Sequence, residues 1–107
     1  MHRGTNPKIN IDVINVDVSL IEDVRVTFKQ GDYVINKKLD DCSISEGVIT
    51  TQLTEDETLG LKANQQVEIQ AKVKLSDGTI AATNISSIYV KDILNEEKFE
   101  EVQEEVI

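Results

Sequence analysis

Few residues of this sequence could do chemistry. There is one histidine, His2, and one cysteine, Cys42. A Ser-His-Asp or Cys-His arrangement needs a histidine fixed beside its nucleophile, whereas His2 lies in an N-terminal segment without a strand pattern. Cys42 has no adjoining His or basic residue to activate its thiol. We therefore predict a protein that is not an enzyme, and we assign it no catalytic residue.

Two acidic clusters, Asp40-Asp41 and Glu55-Asp56-Glu57, are the candidates for metal binding. Neither has the Asp-x-Asp-x-Asp-Gly spacing of a calcium-binding loop, so we interpret them as a solvated loop and a helix cap. The five glycines are scattered singly and build no phosphate-binding loop. The sequence thus predicts no metal site and no cofactor.

Thr54 and Glu57 form a helix-capping sequence. A Thr followed three residues later by Glu is a capping box, in which the hydroxyl and the carboxylate each accept from the other residue's backbone N–H. A helical turn from Glu55 to about Leu61 is therefore predicted, ended by Gly60. We expect it to cross from one sheet to another.

Most of the chain alternates apolar and polar residues, which is typical of half-buried β-strands. The clearest case is Val67–Leu75, followed by an Asp77-Gly78 hairpin. The alternation slips by one residue near Ile14-Asn15, after which Val16, Val18 and Leu20 continue it, and it slips again near Ser86-Ser87. We predict one core containing Val24, Val26, Phe28, Ile49, Leu53, Val67, Ile69, Val73 and Ile88.

About seven strands at this spacing predict an all-β antiparallel β-sandwich with one short helical crossover. The 107 residues fit one domain. We divide them into a flexible N-terminal arm (1–7), the β-sandwich domain (8–91) and an acidic tail (92–107).

The charge of −9 is concentrated in the tail, where seven acids and one base give −6. Such acidity disfavours nucleic acid and anionic membrane surfaces as partners. No apolar run is long enough to span a membrane, and the N-terminus has no signal-peptide pattern, so we expect synthesis in the cytoplasm.

The tail has two interpretations. It could be a frayed acidic end. Alternatively, it could be a segment, helical or not, that becomes ordered on a neighbouring subunit. In the second interpretation its apolar residues are the candidate protein contacts: Phe99, Val102, Val106 and Ile107.

The chain resembles small proteins encoded among the virion genes of tailed phages and prophages of Gram-positive gut bacteria. The segments that carry the resemblance are RGTNP, SLIEDVRVTFKQGDYVINKKLDD, VITTQLTEDETLGLK and VEIQAKVKLSDGTIAATNISSIYVKDIL. The order of Leu53-Thr54-x-x-Glu57-Thr58, Val67–Gln70 and Asp77-Gly78 is also similar to immunoglobulin-like N-terminal modules of phage baseplate proteins. The resemblance covers residues 3 to 94, implies an immunoglobulin-like sandwich in a virion component, and carries over no catalytic residue.

Two hypotheses about function follow. The first is a phage virion structural or accessory protein of the capsid and head fibres or of the tail and baseplate. Its partners would be other virion proteins or copies of itself, in a homo-oligomer or larger assembly, and its location would be the virion. The alternative is a host-directed binding module, either a receptor-binding domain or a small inhibitor of a host defence protein. The first is favoured because an inhibitor that imitates nucleic acid needs its charge on the folded surface, and here most of it lies in the tail.

Overall fold

The alternating residues form β-strands, because every second side chain of a strand can enter a core while its neighbours stay in water. The computed structural model describes residues 1–99. Within these residues one α-helix, α1, spans Glu55–Leu59, and 3₁₀ turns span Val18–Leu20 and Leu39–Asp41. The strands are β1 (Lys8–Asp12), β2 (Ile21–Gln30), β3 (Tyr33–Lys38), β4 (Cys42–Ser45), β5 (Val48–Gln52), β6 (Gln65–Leu75), β7 (Ile80–Ala82) and β8 (Ser86–Val90).

The strands form two antiparallel sheets. A three-stranded sheet has the order β1-β5-β4, and a five-stranded sheet has the order β3-β2-β6, with β7 and β8 both paired to the other side of β6. The long strands β2 and β6 are therefore central. The prediction of an all-β chain with two antiparallel sheets and one short helix is confirmed.

Strands β7 and β8 act as one interrupted strand beside β6. Lys72 pairs with Ala82 and Ile69 with Ser86, so three steps along β6 match four steps along the partner. The extra residue makes a bulge. Thr83 lies in it, and its Oγ1 accepts from the Ala71 N–H at 3.0 Å. The slip predicted near Ser86-Ser87 is present just before Ser86.

One core lies between the two sheets. Ile9 and Ile49 enter it from the three-stranded sheet, and Phe28 and Val67 enter it from the five-stranded sheet. Of the predicted core residues, eight are buried and Ile88 is partly buried against them. The predicted core is therefore confirmed.

The segment between β1 and β2 differs from the prediction. Alternation through Val18 and Leu20 indicated more strand, but β1 ends at Asp12 and Val18–Leu20 is a 3₁₀ turn. Asn15 has a φ of 61°, a left-handed conformation that Asn tolerates better than most residues and that ends the extended chain. This segment crosses between the sheets, a role that its apolar residues alone did not reveal.

The N-terminal residues are hydrogen-bonded to the domain. His2 makes a parallel bridge with Lys91, and the Arg3 N–H donates to the Lys91 carbonyl at 2.9 Å. The Thr5 N–H donates to Thr58 Oγ1 at 3.0 Å. These contacts attach the N-terminal segment to the domain, and the predicted flexibility of residues 1–7 stays a prediction.

Candidate functional site

The two residues with reactive side chains lie on different sheets. His2 lies beside Lys91 at the edge of the five-stranded sheet, and Cys42 begins β4 in the three-stranded sheet. Burial raises the pKa of the half-buried Cys42 thiol, with a smaller raising contribution from the Asp41 charge. A raised pKa lowers the thiolate fraction and hence the reactivity.

The two acidic clusters have structural roles at helical turns. Asp41 belongs to the 3₁₀ turn Leu39–Asp41, and its Oδ2 accepts from the Lys38 N–H at 3.1 Å. Glu55, Asp56 and Glu57 form the first turn of α1, where negative charge is stabilised by the helix dipole. Within residues 1–99, no group of three His, Cys, Asp or Glu side chains could hold a metal ion.

The predicted capping box is present. Thr54 Oγ1 accepts from the Glu57 N–H at 3.1 Å, and Glu57 Oε1 accepts from the Thr54 N–H at 2.9 Å. Gly60 follows the helix as its C-cap. Thr54 and Glu57 thus have the structural role that the sequence predicted.

Helix α1 is also attached to β3, which the sequence did not predict. The Lys37 ammonium donates to Glu57 Oε1 at 2.6 Å, and the Tyr33 hydroxyl donates to the Glu57 carbonyl at 2.8 Å. Lys37 is buried despite its charge. The only sequence signal was the strand period, which places Lys37 on the same face as Ile35.

Arg3 joins the N-terminus, the end of α1 and the segment after β8. Its Nε donates to the Leu61 carbonyl at 2.7 Å and its Nη2 to the Leu59 carbonyl at 3.0 Å. Its Nη1 donates to Asp92 at 3.0 Å and to Glu96 at 2.6 Å. One guanidinium therefore supplies donors to the Leu59 carbonyl at the helix C-terminus and to the Leu61 carbonyl just beyond it, and its single positive charge pairs with two tail acids.

A groove of about 620 Å³ separates β1 from β7 and β8. Most of its lining residues are apolar, six others carry amide or hydroxyl groups, and Asp12 is the one charged residue among its lining residues in the described part of the chain. A single carboxylate provides no acid–base pair. The groove is therefore better suited to contact than to catalysis.

The structure describes one of the four predicted tail contacts. Phe99 is 90% exposed, and nearby Leu94 is fully exposed. Residues 92–99 form no helix. Val102, Val106 and Ile107 lie outside the described residues, so their role stays a prediction.

The sequence reasoning missed a second exposed surface, the edge of the five-stranded sheet at residues 80–87, which we term the open edge. Ile80 is 60% exposed and Ile85 is 58% exposed. The signal was available in the sequence, because Gly78–Val90 is a run of thirteen residues without a charge. In a chain with 29% charged residues, that run distinguishes this edge from the rest of the surface.

Comparison with known proteins adds no relative: no protein-family model, curated protein or solved structure matches the chain. Among residues 1–99, no helix has the length and hydropathy needed to cross a bilayer.

Proposed function

We propose that this protein is a non-enzymatic structural or accessory component of a tailed-phage particle that acts through protein–protein contacts. The observation that carries the proposal is a contrast between charged and apolar side chains. The charged groups of Arg3, Lys37 and Glu57 make hydrogen bonds within the domain, whereas large apolar side chains remain exposed on the open edge and on the segment after β8. Exposed apolar surface of this kind marks contact sites.

An immunoglobulin-like arrangement is part of the proposal. Such sandwiches place strands B, E and D in one sheet and strands C, F and G in the other, with C′ beside C in the variable type. The order β1-β5-β4 corresponds to B-E-D, and β3-β2-β6 followed by β7 and β8 corresponds to C′-C-F-G. The helix between β5 and β6 and the parallel bridge from His2 to Lys91 also support this assignment.

The assignment to a phage particle is supported by the resemblance of residues 3 to 94 to proteins of virion gene modules. Both a head position, on the capsid or its fibres, and a tail or baseplate position suit a small domain without a catalytic centre. The acidic tail would then contact a basic surface of a neighbouring virion protein. Attraction of that kind weakens as salt shortens the Debye length from about 30 Å at 0.01 M to about 10 Å at 0.1 M.

The decisive experiment is mass spectrometry of purified particles from a phage that encodes this chain. We expect its peptides to co-purify with the particles at a constant ratio to the major capsid protein. A matched phage lacking codons 100–107 should incorporate less of the protein if the tail makes the contact. Absence of the intact protein from the particles would refute the proposal, and binding to a host protein would then favour the host-directed module.

A further inference from the structure

The open edge, residues 80–87, lacks the charged side chains that commonly keep a sheet edge from pairing with another chain. Free N–H and C=O groups at a sheet edge can pair with another chain, so edges are commonly short or carry lysines. The opposite edge of the same sheet, β3, ends in the exposed Lys38, whereas the open edge is limited only by the three-residue length of β7 and by the bulge at Thr83. The open edge contains no charged residue and no proline.

Two residues of the open edge, Ile80 and Ala82, have backbone groups that point away from β6. The Leu75 N–H donates to the Thr79 carbonyl at 2.8 Å, and the Thr83 N–H donates to the Ala71 carbonyl at 2.9 Å. Bonding alternates along an antiparallel pair, so the intervening Ile80 and Ala82 direct their N–H and C=O groups outward.

The N-terminus limits the open edge at its far end. The Met1 ammonium donates to the Tyr89 carbonyl at 3.0 Å, and the Lys91 N–H donates to the Met1 carbonyl at 2.7 Å. The first residues of the chain therefore cover the end of β8 but leave residues 80–87 uncovered. Three exposed isoleucines lie on or near the uncovered part. Ile80 and Ile85 lie on it, and Ile14, which is 76% exposed, lines the adjacent groove.

We propose that the open edge binds the open edge of a second copy of this chain, antiparallel and about a two-fold axis. Each copy carries a charge of −9, so a contact through acidic surfaces would be repulsive. Two copies can meet at the open edge without facing like charges, because residues 80–87 carry none. A two-fold contact uses the same patch on both subunits, and antiparallel pairing lets each edge donate to and accept from the other.

The bulge at Thr83 interrupts the edge and limits the length of the shared ladder. Burial of Ile80 and Ile85 must therefore contribute to the contact, and the contact area is small. We expect a dissociation constant between about 10 μM and 1 mM, as for interfaces below the standard size. This inference rests on the proposed function, since it identifies the surface through which copies of the protein would join.

Sedimentation equilibrium of the full chain from about 10 μM to about 2 mM tests the dimer, given the expected affinity. Ala82→Lys and Ile85→Lys should each weaken dimerisation at least about tenfold, because they place like charges across the axis. Val34→Lys, at an exposed position of β3, is the matched control and should change the constant less than about twofold. Thermal unfolding of each variant shows whether it is folded.

Amide hydrogen exchange measured by NMR identifies the surface. The Ile80 and Ala82 amides should gain protection as protein concentration rises, and the Val34 amide should not. A chain that stays monomeric at about 2 mM, or a dimer insensitive to both lysine substitutions, would overturn the proposal. A monomeric protein that is found in particles would overturn the dimer alone, whereas a dimer absent from particles would overturn only the proposed function.

Discussion

The ammonium of Lys37 lies 2.6 Å from Oε1 of Glu57, and this ion pair joins β3 to α1. The Lys37 side chain is only 11% exposed, so water and salt screen the pair weakly. The same carboxylate oxygen accepts from the Thr54 N–H. Glu57 therefore caps the helix and neutralises a buried charge with one group.

Replacing Lys37 by Met should lower the free energy of unfolding by about 1 to 3 kcal/mol, the usual range for a lost hydrogen bond to a charged group. Met keeps the apolar stem but leaves the half-buried Glu57 carboxylate without its counter-charge. Denaturant titration at pH 7 measures the change. Lys38→Met, at the exposed neighbouring position, should change the free energy by less than about 0.5 kcal/mol. Equal effects would show that the ion pair contributes nothing specific.

Stability should fall in acid partly through Glu57. Burial raises the pKa of Glu57, but hydrogen bonds from Lys37 and Thr54 outweigh burial, so the pKa lies below its usual range. Its contribution is therefore complete above the unfolded-state pKa of about 4.3 and is lost as pH falls through the folded-state value. Denaturant titrations between pH 7 and pH 3 should show a shallower loss for Glu57→Gln than for Glu68→Gln, whose side chain is exposed on β6. Parallel curves would contradict this role.

Gly60→Ala should destabilise the junction between α1 and β3. A methyl group on Gly60 would overlap the Tyr33 ring, although the backbone conformation there is ordinary. Tyr33 would have to move and lose its hydrogen bond to the Glu57 carbonyl, so we expect a cost of about 1 to 3 kcal/mol. In a Tyr33→Ala background the same change should cost much less. An equal cost in both backgrounds would place the cause elsewhere.

Local sequence signals predicted much of this fold, because their physics is local. The alternation of Val67–Leu75 predicted which side chains of β6 face the core, and the spacing of Thr54 and Glu57 predicted where α1 begins. Val18–Leu20 forms a 3₁₀ turn where the alternation indicates a strand, because apolar residues in a crossover can keep a period of two by chance.

The contacts missed by the sequence reasoning are long-range. Lys37 and Glu57 are twenty residues apart, and Arg3 reaches Leu61 across fifty-eight positions. Such pairs depend on how the sheets and α1 pack, which no spacing rule gives. The open edge differs, because its lack of charge was visible in the sequence but acquires meaning only once residues 80–87 are known to be an edge.

Glu46→Asn should stabilise the hairpin between β4 and β5. Glu46 and Gly47 have φ values of 50° and 79°, so both residues of this two-residue turn are left-handed. Asn-Gly suits such a turn far better than Glu-Gly. We expect a gain of about 0.5 to 1 kcal/mol in the free energy of unfolding. Glu46→Gln, which removes the charge without favouring the left-handed conformation, should give no gain in the same denaturant titration.

Deleting residues 95–107 should leave the domain folded and lower the free energy of unfolding by less than about 1 kcal/mol. Within its described part, the deleted segment contributes ion pairs through Glu96 and Lys98, side chains that are 59% and 54% exposed. Arg3 would keep its bonds to Asp92 and to two carbonyls at the end of α1. Arg3→Met should therefore cost more than the deletion, because it leaves those partly buried carbonyls without a donor. Denaturant titration of both variants compares them, and a deletion that costs more than Arg3→Met would show that the tail completes the core.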